Sequence, residues 1–147
     1  NGICNDDEPS GVTSKDGKFS LVTTLNGDYP ILVSGGTDTA TQESFLGTLK
    51  TTISLDNKKS YSNIITNPLT TIATNIYHAE KKSDETFTYK DAKQIVASNL
   101  GLDISQIVAD PLKNKETFAK TQQIIQTTKL LSDSIEKDSN NTSKAIE

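Results

Sequence analysis

An α+β fold is predicted, with a small antiparallel sheet or partial sandwich in the N-terminal third packed against a C-terminal helical half of three to four helices. Two patterns carry this expectation. Between residues 11 and 56, short β-rich runs are separated by glycine turns. Beyond Asn67, apolar residues recur at helical spacing behind good capping residues. The composition shifts near Asn57–Asn67, and neither half carries enough apolar surface to stand alone, so one unit over 1–147 is expected.

Residues 1–10 form an acidic loop punctuated by Gly2 and Pro9. In the β part, 11–56, Lys18–Val22 alternates around Phe19 and Leu21, and Tyr29–Val33 is a second β-rich run. A third, Phe45–Leu55, carries Phe45, Leu49, Ile53 and Leu55 among threonines. Turns are expected at Lys15-Asp16-Gly17, Asn26-Gly27-Asp28 and Ser34-Gly35-Gly36. The threonines of Thr48–Ser54 read as strand formers on an exposed face, with a flat polar face for glycans or ice as the less favoured alternative.

The helical part, 57–138, opens where Asn67 caps and Pro68 occupies the first helical position, predicting a helix over 68–80 on Leu69, Ile72, Ala73, Ile76 and Tyr77. Thr88 with Asp91 forms a capping-box pattern, Phe87 and Ala92 a hydrophobic staple, and Gly101 a stop. Between them Ala92, Ile95, Val96 and Leu100 make one stripe. Asp103 with Gln106 opens a short helix that Asp110-Pro111 ends. A long helix follows over 115–138, with Phe118, Ile124, Ile125, Thr128, Leu131 and Ile135 facing inward, before a polar, flexible tail at 139–147.

Composition narrows the function. The net charge is −4, and all 15 basic residues are lysine. Without arginine, bidentate reading of phosphate and guanine edges is lost, so nucleic acid is not an expected partner. The one cysteine, Cys4, excludes an intrachain disulfide and multi-cysteine zinc sites. No apolar run approaches the roughly 20 residues of a membrane helix, so no membrane insertion is expected of this segment. The chain begins without Met and reads as a piece of a longer protein whose signal or anchor lies upstream. His78, the sole histidine, is expected in solvent near the end of its helix, where a cationic ring suits the dipole. Carboxylate pairs could be assembled from Asp38 and Glu43 or from Asp84 and Glu85, but adjacent surface acids are usually just solvated. With no nucleotide or nucleophile fingerprint either, no enzymatic activity is expected.

The first residues carry the clearest chemistry. Asn1, Gly2, Ile3, Asn5 and Glu8 fall in register with the fifth, sixth, seventh, ninth and twelfth positions of a twelve-residue calcium loop. Such loops place a sharp glycine turn at the sixth position, a carbonyl ligand at the seventh and a bidentate glutamate at the twelfth. The metal ligands expected are therefore Asn1, the Ile3 carbonyl, Asn5, Asp6 and Glu8, with Ca²⁺ as cofactor and Asp7 outside the set. The first and third positions of the loop would precede Asn1. Cys4 takes an inward-packing apolar place. On spacing alone, a solvated acidic turn is as good a reading.

The run Asn1-Gly2-Ile3-Cys4-Asn5-Asp6-Asp7-Glu8-Pro9, followed by Thr13–Leu21, resembles the NGxxDxGEP … TDxxGxYSL signature of calcium-binding β-modules of large bacterial surface proteins and adhesins. Gly35–Thr41, Phe45–Leu49 and Asn67–Ile72 resemble modules of such proteins in which a short sheet precedes helices. Asn5 stands where the pattern has Asp, and Asp7 where it has Gly. The resemblance implies a calcium-stabilised structural or adhesive module, extracellular or on the cell surface. Its partners would be neighbouring modules, copies of itself, or a host-surface or glycan ligand. Two alternatives accompany it: a filament subunit assembling by strand addition, and a carbohydrate-binding accessory module.

Overall fold

The computed structural model describes residues 5–37, 42–110, 113–114, 116–117 and 119–123, and over these the protein is α+β. Strand β1 (Gly27–Ser34) pairs antiparallel with β2 (Thr48–Leu55), in a register running from Gly27 opposite Leu55 to Ser34 opposite Thr48. Gly35 and Gly36, at φ 71° and 86°, end β1 in the left-handed region where a side chain is strained. Thr37 bridges Ser44, and the Phe45 N–H reaches the Gly36 carbonyl at 3.0 Å, so Phe45 belongs to the connection and β2 begins later than the sequence predicts.

The ribbon has one closed edge and one open one. The Lys50 N–H donates to the Thr71 hydroxyl at 2.8 Å and the Thr70 hydroxyl donates to the Lys50 carbonyl at 2.7 Å, so the main chain of Lys50 points away from β1. By the two-residue alternation of an antiparallel ladder, Thr52 and its partner Pro30 also form a non-hydrogen-bonded pair. Proline therefore costs the ladder nothing here, and its missing N–H falls on the outer edge of β1.

Two sequence expectations fail in the first third. Lys18–Val22 is not a strand: the Lys15-Asp16-Gly17 turn forms, with the Ser14 N–H on the Lys18 carbonyl at 2.9 Å, but no ladder grows from it. A two-residue alternation is only a pattern until a partner strand supplies hydrogen bonds, and the described residues offer none. Asn26-Gly27 does not turn either. It starts β1, and the Asn26 side chain accepts the Asn57 N–H at 2.7 Å, clamping the open end of the hairpin.

The helices lie where their caps place them. Helix α1 (Pro68–Glu80) begins with a full capping box: the Thr70 N–H donates to Asn67 Oδ1 at 2.8 Å, and the Asn67 N–H donates to the Thr70 hydroxyl at 2.9 Å. Helix α2 (Tyr89–Leu100) repeats the device with Thr88 and Asp91 and ends at Gly101, φ 63°, where the Leu102 N–H reaches the Ala97 carbonyl at 2.9 Å. Helix α3 (Ile104–Ile107) is a single turn. Residues 116–117 and 119–123 are helical, and Lys120 Nζ donates to the Leu100 carbonyl at 2.7 Å, a cation on the negative end of α2. The expected inward residues Phe118, Ile124, Ile125, Thr128, Leu131 and Ile135, and the tail, lie outside the described residues.

The apolar core belongs to the helices: Leu69, Ala73 and Tyr77 of α1, Ala92, Val96 and Ala97 of α2, with Leu102 and Ile107. Ile95, expected inside, is 40% exposed, and Ala97 is buried in its place. Among the described residues no residue of the ribbon is in that cluster, so polar contacts have a large share in joining the sheet to the helices.

Candidate functional site

At the N-terminus the structure brings together two of the expected ligand residues. The Glu8 N–H donates to the Asn5 carbonyl at 3.0 Å, and the Asn5 N–H donates to Glu8 Oε2 at 3.0 Å, closing a turn with Asp6 and Asp7 exposed at its tip. This reciprocal pair is the geometry of a capping box, in which a residue and the acid three places on satisfy each other's backbone. It brings Asn5 and Glu8, two residues of the expected ligand set, onto one turn, with Glu8 Oε2 turned towards the Asn5 N–H. Asn1 and Ile3 lie outside the described residues, as does Cys4. Among the described residues no group of three or more His, Cys, Asp or Glu could hold a metal ion, and the expected set of Asn5, Asp6 and Glu8 contains only two such residues. They would need Asn1 and the Ile3 carbonyl, and calcium suits such an all-oxygen, irregular set.

The junction of ribbon and helices is in large part a hydroxyl network. Thr51 and Thr52 are 4% and 7% exposed, contrary to the expectation that the β2 threonines face solvent. Thr52 Oγ1 donates to the Thr74 hydroxyl at 3.2 Å, and Thr51 and Thr74 both meet the Tyr89 hydroxyl, at 3.3 and 3.4 Å. Buried hydroxyls are costly unless paired, and here each finds another. Asn67 adds a third tie: its side-chain amide donates to the carbonyls of Ile107 at 3.0 Å and Ala109 at 3.3 Å, so one residue caps α1, bridges Lys50 of β2 and holds the end of α3.

At the other end of the ribbon, Asp28 accepts short hydrogen bonds from the hydroxyls of Ser54 and Tyr77. The Ser54 and Tyr77 hydroxyls hold the Asp28 carboxyl below its ordinary value. Burial, and then the hydrogen bond to Asp28 and its charge, push the Tyr77 phenol up to about 12. Asp84, one of the carboxylates considered for acid/base pairing, accepts the Thr86 hydroxyl and amide at 2.5 and 2.8 Å and is held below its ordinary value, the opposite of what a general acid needs. Asp38 lies outside the described residues.

Between the ribbon and the C-terminal half of α1 runs an open groove of about 510 Å³. Lys50, His78 and Lys82 stand in its wall with Thr48, Thr74 and Asn75, and no carboxylate lines it among the described residues. Lys50 Nζ lies 3.4 Å from Asn75 Oδ1. His78 is not in solvent as expected: it is half-buried, its Nε2 3.4 Å from Thr52 Oγ1 and its ring edge-on to Tyr77 at 5.0 Å. Burial first, and then Lys50, push its pKa below 6.5, while Asp28 acts in the opposite sense and Lys82 adds to the lowering. The imidazole is therefore neutral near pH 7, not the dipole-stabilised cation the sequence implies. Sequence reasoning missed this groove. The signal available was Asn75, His78 and Lys82 at helical spacing on one face.

Compared with known proteins, the chain matches no family model, no curated protein and no solved structure. No helix among the described residues is long and apolar enough to cross a membrane.

Proposed function

We propose that this chain is a calcium-stabilised structural or adhesive module of an exported bacterial surface protein, without catalytic activity of its own. The observation that carries this reading is the Asn5–Glu8 turn, in which two expected ligand residues share one turn in calcium-loop register. A divalent ion held there by Asn1, the Ile3 carbonyl, Asn5, Asp6 and Glu8 would tie an irregular N-terminal segment into one geometry. Such ordering serves a mechanical role, because it fixes the direction in which the chain enters the module. The resemblance of the first residues to adhesin modules supports the same reading.

Filament assembly by strand addition has less support. The outer edge of β1 is open among the described residues, but Pro30 removes a donor from its middle, a device that discourages edge-to-edge pairing.

Scanning calorimetry tests the calcium reading. Extracellular sites bind with dissociation constants near 1 mM, so about 10 mM calcium should stabilise the protein by about 1.4 kcal/mol. In a chain of this size that raises Tm by roughly 3–6 °C. The rise should vanish with a chelator and in Glu8→Gln, which keeps a carbonyl for the Asn5 amide but removes the charge. An identical Tm with calcium and with chelator would remove the metal from the account.

A further inference from the structure

In the groove between the β-ribbon and α1, Thr74 and His78 meet Thr52 and Lys50 meets Asn75, so part of the lining already serves the junction while its charges face the opening. Among the described residues that line it, the charged groups are lysines in a chain of net charge −4, the neutral ones are two threonine hydroxyls, the amide of Asn75, the imidazole of His78 and the apolar side chains of Pro30, Leu32 and Ala79, and none is a Phe, Tyr or Trp. The lysines supply point charges without the planar fork that arginine offers, which suits an oxyanion approached from several directions. Thr48 and Asn75 offer donors and acceptors beside the charges, as a polyhydroxylated ligand requires. Stacking of a neutral sugar needs a Trp or Tyr face, which the described lining lacks, and Pro30, Leu32 and Ala79 offer only small apolar contacts, so charge leads recognition there. An extended acidic peptide would gain affinity by pairing with the neighbouring edge of β1, and Pro30 on the groove wall denies it a backbone donor there.

We infer that this groove is a binding site for an anionic saccharide, with Lys50 and Lys82 meeting its sulfate or carboxylate groups and His78, Asn75 and Thr48 its hydroxyls. The inference names a ligand class for the adhesive part of the proposed function and rests on that part alone, since it uses no residue of the calcium turn. His78 faces Lys50, Lys82 and Asp28, and Asp28 is committed to Ser54 and Tyr77. An anion brought against the imidazole favours its protonated form, so binding tightens as pH falls through and below 6.5.

Isothermal titration with chelator present throughout tests this with four probes: a sulfated tetrasaccharide, an oligogalacturonate, a neutral tetrasaccharide and an oligoglutamate peptide. At least one of the first two should bind, and which one does assigns sulfate or carboxylate as the recognised group. The neutral sugar and the peptide should not. Lys50→Gln and Lys82→Gln should each weaken binding about fivefold or more, rising salt should weaken it further, and His78→Gln should abolish the gain at low pH. Circular dichroism of each variant separates loss of binding from loss of fold. No binding of either anionic saccharide, binding unchanged in both lysine variants, or a peptide that binds as tightly as the saccharides would each overturn the assignment. Because the chelator is present, failure of the calcium reading leaves the result intact.

Discussion

Asn67 shows how much one side chain can organise. It is 2% exposed, yet its oxygen caps α1 and its amide nitrogen satisfies two carbonyls at the end of α3 and just past it. Asn67→Ala would lose the cap and strand those buried carbonyls, costing on the order of 2–4 kcal/mol in denaturant unfolding. Asn67→Asp keeps the cap but loses both donated bonds, so it should be rescued only in part. A loss below about 0.5 kcal/mol in Asn67→Ala would show that the amide contacts do not bear on stability. The capping role was legible, because a cap and its helix are three residues apart. The amide's other role was not, because Ile107 and Ala109 are 40 and 42 residues away. The same holds for Thr51 and Thr52, whose partners Tyr89 and Thr74 lie 38 and 22 residues on, so their strand propensity alone placed them in solvent.

At the scale of elements, the helices were read closely and the strands loosely. Asn67-Pro68, Thr88 with Asp91, and Gly101 are local chemical signals that begin and end a helix, whereas a strand exists only if another chain segment pairs with it. Lys18–Val22 has the alternation and lacks the partner. What joins ribbon to helix is also testable through pH. Asp28 has its folded pKa depressed by Ser54 and Tyr77, so its contribution is present above 3.8 and is lost as pH falls through the lower, folded value. Tyr77 has its pKa raised, so its contribution is complete below 10.0 and is lost as pH rises towards about 12. Urea midpoints measured against pH should therefore fall at both extremes. In Asp28→Asn the midpoint should be lower at neutral pH and the acid limb flatter. An acid limb as steep in Asp28→Asn as in the parent would mean that the Asp28 bonds do not couple ribbon to α1.

At the scale of the whole molecule, the described residues show a small core, mostly in the helices, that carries a two-stranded ribbon joined through hydroxyls. Among the described residues three of the eight core residues, Ala73, Ala92 and Ala97, are alanines, so apolar burial there is modest and the polar junction matters in proportion. The α+β class was legible from where the periodicity changes. The groove was not, since it needs β2 beside α1. The turn at Asn5–Glu8 covers only part of the ligand set expected from sequence, and Asn1 and Ile3 lie outside the described residues. Calcium binding at this turn is the proposal from which the mechanical role follows. The most direct measurement is a calcium titration followed residue by residue in ¹H–¹⁵N spectra. Amide shifts centred on Asn5 to Glu8, saturating at millimolar calcium and absent with magnesium or in Glu8→Gln, are the predicted result. Spectra that do not move with calcium, or shifts centred on other acidic residues, would contradict the account.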